Sequence, residues 1–342
     1  MAARYASTHA SPQGPGDARP TALQIIQDED LIGKLADKVI LITGCTSGIG
    51  VESAKALYAT GARVFITARG NSQENIDTAQ ATAKEIENAH ADVKNPHCVE
   101  VLHVELDSLD SVRRGAEDFL KRSDRLDILI CNAGIMAAPF TTTSDGFESQ
   151  FATNHLGHFL LFQLLKPTLV ASSTPSSPSR VVVLTSGAHA ITPPLLNDYN
   201  FSQTPYGPWL SYGQSKCANI WMANEIDRRY GSKGIHATSV NPGLIWSGLQ
   251  KYVDEETKKG WGEKEDWKYL WKSTAQGAAT TVWAAVAGVW TDQGGVVLND
   301  CQVWRARRDV GEEGCADHAF DEVGEGVLWK DSCGMVGAED DA

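Results

Sequence analysis

Residues 38–58 read KVILITGCTSGIGVESAKALY, and no other stretch of the chain restricts its fold as tightly. The apolar run at 38–44 has no polar alternation, as a strand buried on both faces requires. An alanine-bearing helical stretch follows, and a glycine-rich turn joins the two. The pattern then repeats. Apolar strand candidates lie at 63–69, 97–106, 125–134, 180–186, 234–243 and 294–300, with helical stretches between them, including a long one at 145–170. Strands alternating with helices predict an α/β protein: a doubly wound, seven-stranded parallel sheet with helices on both faces. Crossovers should be right-handed, and ligands should sit beyond the carboxyl ends of the strands, where the strand order reverses.

The chain has 342 residues, 42% hydrophobic and 21% charged, and needs no disulfide or metal to hold a core. Its formal net charge of −13 argues against nucleic acid or an anionic membrane as partner, since both need a basic footprint. Seven scattered cysteines, with no C-x-x-C and no zinc-like spacing, read as reduced thiols in a reducing, cytoplasmic setting. The longest apolar run, 277–290, is shorter than the roughly 20 residues that span a bilayer, so it reads as a buried or interface helix. Residues 1–20 lack the apolar core of a secretory signal and read as a loose arm. A short helical lead-in follows to residue 35, then one dinucleotide-binding catalytic domain at 36–300 and a C-terminal extension at 301–342. His155, His158 and His189 lack ligand spacing, and no metal is expected.

Gly44, Gly48 and Gly50 are spaced G-x-x-x-G-x-G between the first strand and its helix. Glycines there let the backbone approach a pyrophosphate, while the helix N-terminus offers unpaired N–H groups. Far downstream, SYGQSKCANIW (211–221) places Tyr212 and Lys216 on one helical face. Alone, that pair is an ordinary helix surface.

Together, the motifs resemble the short-chain dehydrogenase/reductase family. TGCTSGIG (43–50) matches its T-G-x-x-x-G-I-G. CNAG (131–134) matches N-N-A-G except that Cys131 replaces an Asn. TNHLGHFLL (153–161) matches N-x-L-G-x-F, VVVLTS ends at Ser186 with Thr185 in place of a commoner Ser, YGQSK is Y-x-x-x-K, and NPG (241–243) matches the turn after strand six. NHLGHFLL, GGVVLNDCQVW and the long spacing from Ser186 to Tyr212 are most similar to the retinol-dehydrogenase-like and fungal secondary-metabolism branch.

The resemblance implies a Rossmann-type NADP(H)-dependent oxidoreductase interconverting a carbonyl and an alcohol. Tyr212 would be the general acid/base, Lys216 would lower its pKa and bind ribose, Ser186 would orient substrate, and Asn154 would hold a proton-relay water. Gly44, Ser47, Gly48, Ile49 and Gly50 would cover the pyrophosphate. Asp107 would reach the adenine, Asn132 the adenosine-side ribose region, and Ile245 and Ser247 the carboxamide end, with Ala133 and Gly134 also binding the cofactor. At the end of strand two, Arg69 stands where an acid would read the ribose 2′-hydroxyl, which favours NADP over NAD. Residues 187–210 and 244–272 would wall and cover a small-molecule substrate. They carry Trp209, Trp246, Trp261, Trp267 and Trp271, which suit either a bulky apolar or aromatic substrate or packing of the lid itself. Dimers and tetramers are common in the resembled family. A nucleotide-sugar epimerase usually carries a larger C-terminal domain, and a non-catalytic dinucleotide sensor or scaffold typically loses the Tyr or the Lys.

Overall fold

A computed structural model describes residues 4–90, 93, 95–307 and 314–341. Its strands are β1 (Val39–Ile42), β2 (Arg63–Ala68), β3 (Glu100–His103), β4 (Ile128–Cys131), β5 (Ser179–Leu184), β6 (Ile235–Asn241), β7 (Val296–Asn299) and β8 (Gln302–Val303). They form one sheet in the order β3-β2-β1-β4-β5-β6-β7-β8. All pairings are parallel except that of β7 with β8. The sheet is therefore seven parallel strands, as expected, plus an eighth that is antiparallel. Both residues of the intervening turn, Asp300 and Cys301, have positive φ (54° and 52°), so a primed hairpin turn is built without the Asn-Gly that usually signals one.

Side chains alternate across the strands and divide the core in two. Leu41, Phe65, Leu129, Val181 and Val183 face one layer of helices. Ile40, Ile42, Val64, Ile66, Ile130 and Val182 face the other. The order reverses beside β1, which pairs with both β2 and β4. The carboxyl ends of β1 and β4 thus diverge over a crevice.

The long helix expected at 145–170 begins at Ser149 and is not uniform. Ser149–Phe151 and Gly157–Ser172 are α-helical, but Ala152–Leu156 forms a π turn around Asn154. The apolar run at 277–290 is buried: Trp283 and Trp290 stack edge to face at 4.9 Å beneath the lead-in helix Ala22–Asp28.

The arm, expected to be loose, is docked. Tyr5 and Arg19 are both 5% exposed, and Tyr5 donates to Asp28 (2.8 Å). Among the described residues, no helix is long and apolar enough to cross a membrane.

Candidate active site

Most residues singled out in the sequence line one cavity of about 860 Å³ over the β1/β4 crevice. The glycine turn forms one end. Gly44 and Gly48 have φ of 71° and 65°, which glycine adopts freely. A Cβ on Gly44 would stand 2.7 Å from the Ala133 Cα, and one on Gly50 would stand 2.4 Å from the Gly44 carbonyl oxygen. The turn is thus pressed against β4 and opens toward the cavity. Ser47 precedes the helix Gly48–Tyr58 but does not cap it, so the helix N-terminus faces the cavity with donors free. Arg69 lines the same end, exposed and without a hydrogen bond or ion pair among the described residues. Asp107 lines it too.

The other end holds Ser186, Tyr212 and Lys216. Tyr212 and Lys216 belong to the helix Pro208–Tyr230, which a proline starts at its first position. Both are buried, at 3% and 4% exposure. Burial pushes the Tyr212 phenol up to about 12, with the Ser186 hydroxyl pulling the other way. Burial pushes the Lys216 ammonium down to about 8. The expectation that Lys216 lowers the tyrosine's pKa is not met in this chain by itself. The ammonium donates to the Leu184 carbonyl (3.1 Å) and lies 5.7 Å from the Tyr212 ring centre.

Asn154 lies behind these residues, fully buried. Its amide accepts from Ile135 N–H (2.8 Å) and donates to the Ile135 carbonyl (3.0 Å) and to Ser215 Oγ (2.8 Å). Ser215 in turn donates to the Tyr212 carbonyl (2.8 Å). The Asn132 amide donates to the carbonyls of Thr43 (2.7 Å) and Gly44 (3.1 Å), so it braces the glycine turn. Its Oδ1 is buried without a partner. Ala133 and Gly134 form the floor, and a Cβ on Gly134 would come within 3.1 Å of Asn154 Oδ1. Ile245 and Ser247 line the cavity beyond Gly243. Ser247 caps the short helix Gly248–Tyr252, exchanging bonds with Gln250.

Two histidines with no ligand spacing brace the site instead. The Asn154 carbonyl can only accept, so His158 carries its proton on Nδ1 (2.9 Å) and accepts from the Thr43 hydroxyl on Nε2 (2.8 Å). The same Thr43 oxygen accepts from the N–H groups of Asn132 and Ala133 (2.9 and 3.0 Å). His189 accepts from Ala316 N–H on Nε2 (3.2 Å) and donates from Nδ1 to the Ser186 carbonyl (2.8 Å). Burial pushes both imidazoles down to about 4, which keeps them neutral near pH 7. Each histidine also has one partner far away in the chain, Thr43 or Ala316, which no local spacing announces. Ser215 and Asn219 carry a weak signal, three and seven residues after Tyr212 on the same helical face. Among the described residues, no group of three or more His, Cys, Asp or Glu side chains is placed to hold a metal.

A doubly wound sheet with a glycine turn at its switch point defines the nucleotide-binding α/β class. Within that class, the family described as short chain dehydrogenase matches residues 38–258, and the chain belongs to it. It is 45% identical over 335 residues to short-chain dehydrogenase/reductase prx1 of Penicillium roqueforti, covering 97% of this chain and 95% of that protein. It is 35% identical over 313 residues to retinol dehydrogenase 12 of Mus musculus, covering 90% and 88%. The resemblance to the retinol-dehydrogenase-like and fungal branch holds. Among solved structures, the Pseudomonas aeruginosa RhlG/NADP active-site complex superposes with a TM-score of 0.60 at 26% identity, covering 79% of this chain and 96% of that one.

Proposed function

We propose that this chain is an NADP(H)-dependent oxidoreductase that interconverts a carbonyl and an alcohol on a bulky, apolar or aromatic small molecule. One observation carries the reading: Ser186, Tyr212 and Lys216 share a single cavity with the glycine cradle and Arg69. The cradle fits a dinucleotide: the close packing of Gly44 and Gly50 against Ala133 and Asn132 holds the turn beside the uncapped N-terminus of the helix Gly48–Tyr58, whose N–H donors suit a pyrophosphate. The buried, unpartnered Asn132 Oδ1 is an acceptor left for a bound group. Gly44, Ser47, Gly48, Ile49 and Gly50 would hold the pyrophosphate. Asp107, Asn132, Ala133 and Gly134 would meet the adenosine side, and Ile245 and Ser247 the carboxamide end. Arg69, exposed and unpaired among the described residues, suits a 2′-phosphate through its charge and planar fork. The NADP bound to RhlG supports the same reading.

The bound nicotinamide would supply or accept a hydride. The chain's own residues manage the proton. Tyr212, held as a phenol by burial, would donate to the carbonyl oxygen in reduction or take the proton from an alcohol in oxidation. Ser186 would hydrogen-bond that oxygen and hold it near the phenol. Lys216 would favour the phenolate as it forms and bind ribose hydroxyls. Asn154 would steady the path by which Lys216 exchanges protons with solvent, through its bonds to Ile135 and Ser215.

Around Tyr212 the walls are Met136, Ala137, Leu249, Val253 and Trp261, with Trp209 at 6.1 Å from the tyrosine ring. Of these, Met136, Leu249, Trp209 and Trp261 line the cavity, as does the charged Lys251, so the walls support a substrate that is largely apolar. Residues 244–272 would be its lid, in a single catalytic domain at 36–300. The free cysteines suit a reducing, cytoplasmic setting, and a role in secondary metabolism accords with the fungal relatives.

The test is nicotinamide absorbance during incubation with a panel of ketones and alcohols. Bulky aromatic ketones should consume NADPH, and Tyr212→Phe should abolish turnover while leaving NADPH affinity nearly intact. Wild-type-like turnover in that variant would sink the mechanism. Tight NADPH binding without turnover of any panel member would favour a sensor instead.

A further inference from the structure

The N-terminal arm is bonded to the segment that borders the substrate side of the cavity, and Arg19 makes most of the arm's side-chain bonds to it. Arg19 is 5% exposed, although a guanidinium survives burial only when its donors are taken. They are taken by three successive carbonyls of the lid. Nη2 donates to Trp271 O (2.6 Å) and Tyr269 O (3.3 Å), and Nη1 donates to Leu270 O (2.9 Å). Nη2 also reaches Gly14 O (3.1 Å), and Nε donates to Asp17 (2.9 Å).

Further bonds tie the same two segments together. Gly14 N–H donates to Tyr269 O (3.1 Å) and Gly16 N–H to Gln276 Oε1 (2.9 Å). The Gln276 amide returns bonds to Asp17 Oδ1 (2.9 Å) and Arg19 O (3.2 Å).

What the carbonyl clamp fixes is the direction of Trp271. That residue lines the cavity and stacks on Trp246 at 4.2 Å and 9°. Trp246 touches Trp261 (6.4 Å), and Trp261 touches Trp209 (5.7 Å), the ring beside Tyr212. The next residue, Lys272, donates its N–H to Leu244 O (2.8 Å) and its ammonium to Pro242 O (3.1 Å). Arm, lid and the turn after β6 are therefore one hydrogen-bonded unit. Residues 14–19 and 269–276 both lie outside the 38–258 that the family description matches.

We propose that Arg19 is a specificity-determining positioning residue: by gripping the carbonyls of 269–271 it holds Trp271 and the tryptophan row as the wall that receives a planar, apolar substrate. The row serves the substrate in the sense of the reading above, and the clamp itself is independent of it. A lysine could not replace Arg19, since an ammonium is a point donor and cannot fork across successive carbonyls.

The experiment uses the full chain with Arg19→Ala and the milder Arg19→Lys. Two readouts are taken: circular dichroism of the stacked Trp246–Trp271 pair, and kinetics with a planar aromatic ketone beside NADPH affinity. Both variants should lose the tryptophan signal. The KM for the aromatic ketone should rise about tenfold, with kcat and NADPH affinity changed less than about twofold. A folded variant that keeps the wild-type signal and KM would overturn the proposal, as would equal losses in KM, kcat and NADPH affinity. If Arg19→Ala does not fold, Arg19→Lys decides by the same criteria. If the wild type turns over nothing, the functional reading fails, and the tryptophan signal still decides the clamp.

Discussion

Tyr212 and Lys216 are almost completely buried, and burial moves their titrations apart: the phenol up to about 12, the ammonium down to about 8. In the proposed mechanism, reduction uses the protonated phenol. Ionisation of Tyr212 should therefore not lower kcat at saturating NADPH before about pH 10, where a free tyrosine would be half ionised, whereas loss of the Lys216 charge should lower it as pH rises through about 8. Oxidation uses the phenolate, so its rate should climb with pH over the same range. Paired pH–rate profiles check both. A reductive kcat that is unchanged through pH 8 and falls near pH 10 would show Tyr212 ionising as a free tyrosine with no help from Lys216, and would overturn both assignments. Arg69 is exposed and has no hydrogen bond or ion pair among the described residues, so its substitution should disturb little else. Arg69→Asp should weaken NADPH relative to NADH by about tenfold or more, since it removes one charge-assisted pair and adds a repulsion. Equilibrium titration with the two nucleotides measures this, and an unmoved preference would mean that Arg69 does not read the phosphate.

The glycine turn joins its strand and helix by close contact, not only by flexibility. Gly50 has no positive φ, yet a Cβ there would stand 2.4 Å from Gly44 O and 2.6 Å from Asn132 Nδ2. Backbone cannot yield at that distance. Gly50→Ala should push the helix Gly48–Tyr58 away from β4 and open the cradle. Overpacking of this kind costs roughly 1–3 kcal/mol, and NADPH affinity should fall at least about tenfold. Calorimetry and nucleotide titration report the two effects separately. Unchanged nucleotide affinity would show that the cradle does not meet the pyrophosphate. The Asn154 carbonyl lies inside the π turn at Ala152–Leu156 and accepts from His158 Nδ1.

On the scale of the whole molecule, the cavity lies between the two ends of a long chain of dependencies. The glycine turn, the arm, the lid and the C-terminal segment at Ala316 all border it or brace its walls. A dinucleotide that spans the cavity should therefore stabilise the entire fold. At a hundred times its Kd, NADPH should add about 2.7 kcal/mol and raise Tm by roughly 5 °C. NADH at the same concentration should add less. Thermal denaturation with each nucleotide checks the order, and equal shifts would count against a 2′-phosphate site.

The strands of the parallel sheet were legible in the sequence because a strand buried on both faces must be continuously apolar, as VILI at 39–42 and VVVL at 181–184 are. So were the glycine turn and the Tyr212–Lys216 spacing, because steric fit at the turn and the helical repeat are local properties. The eighth strand was not, since Asp300 and Cys301 adopt positive φ without the usual residues. The docking of the arm was not either. A polar, Pro- and Gly-bearing segment looks loose until its partners are known, and Arg19 finds them some 250 residues away at Tyr269, Leu270 and Trp271. His158 and His189 show the same division. Local pattern determined which elements form and where the chemistry-bearing side chains lie on them. Tertiary structure alone decided how deeply Tyr212 and Lys216 are buried, and hence how they titrate, because desolvation is set by the surrounding atoms and not by neighbours in the chain.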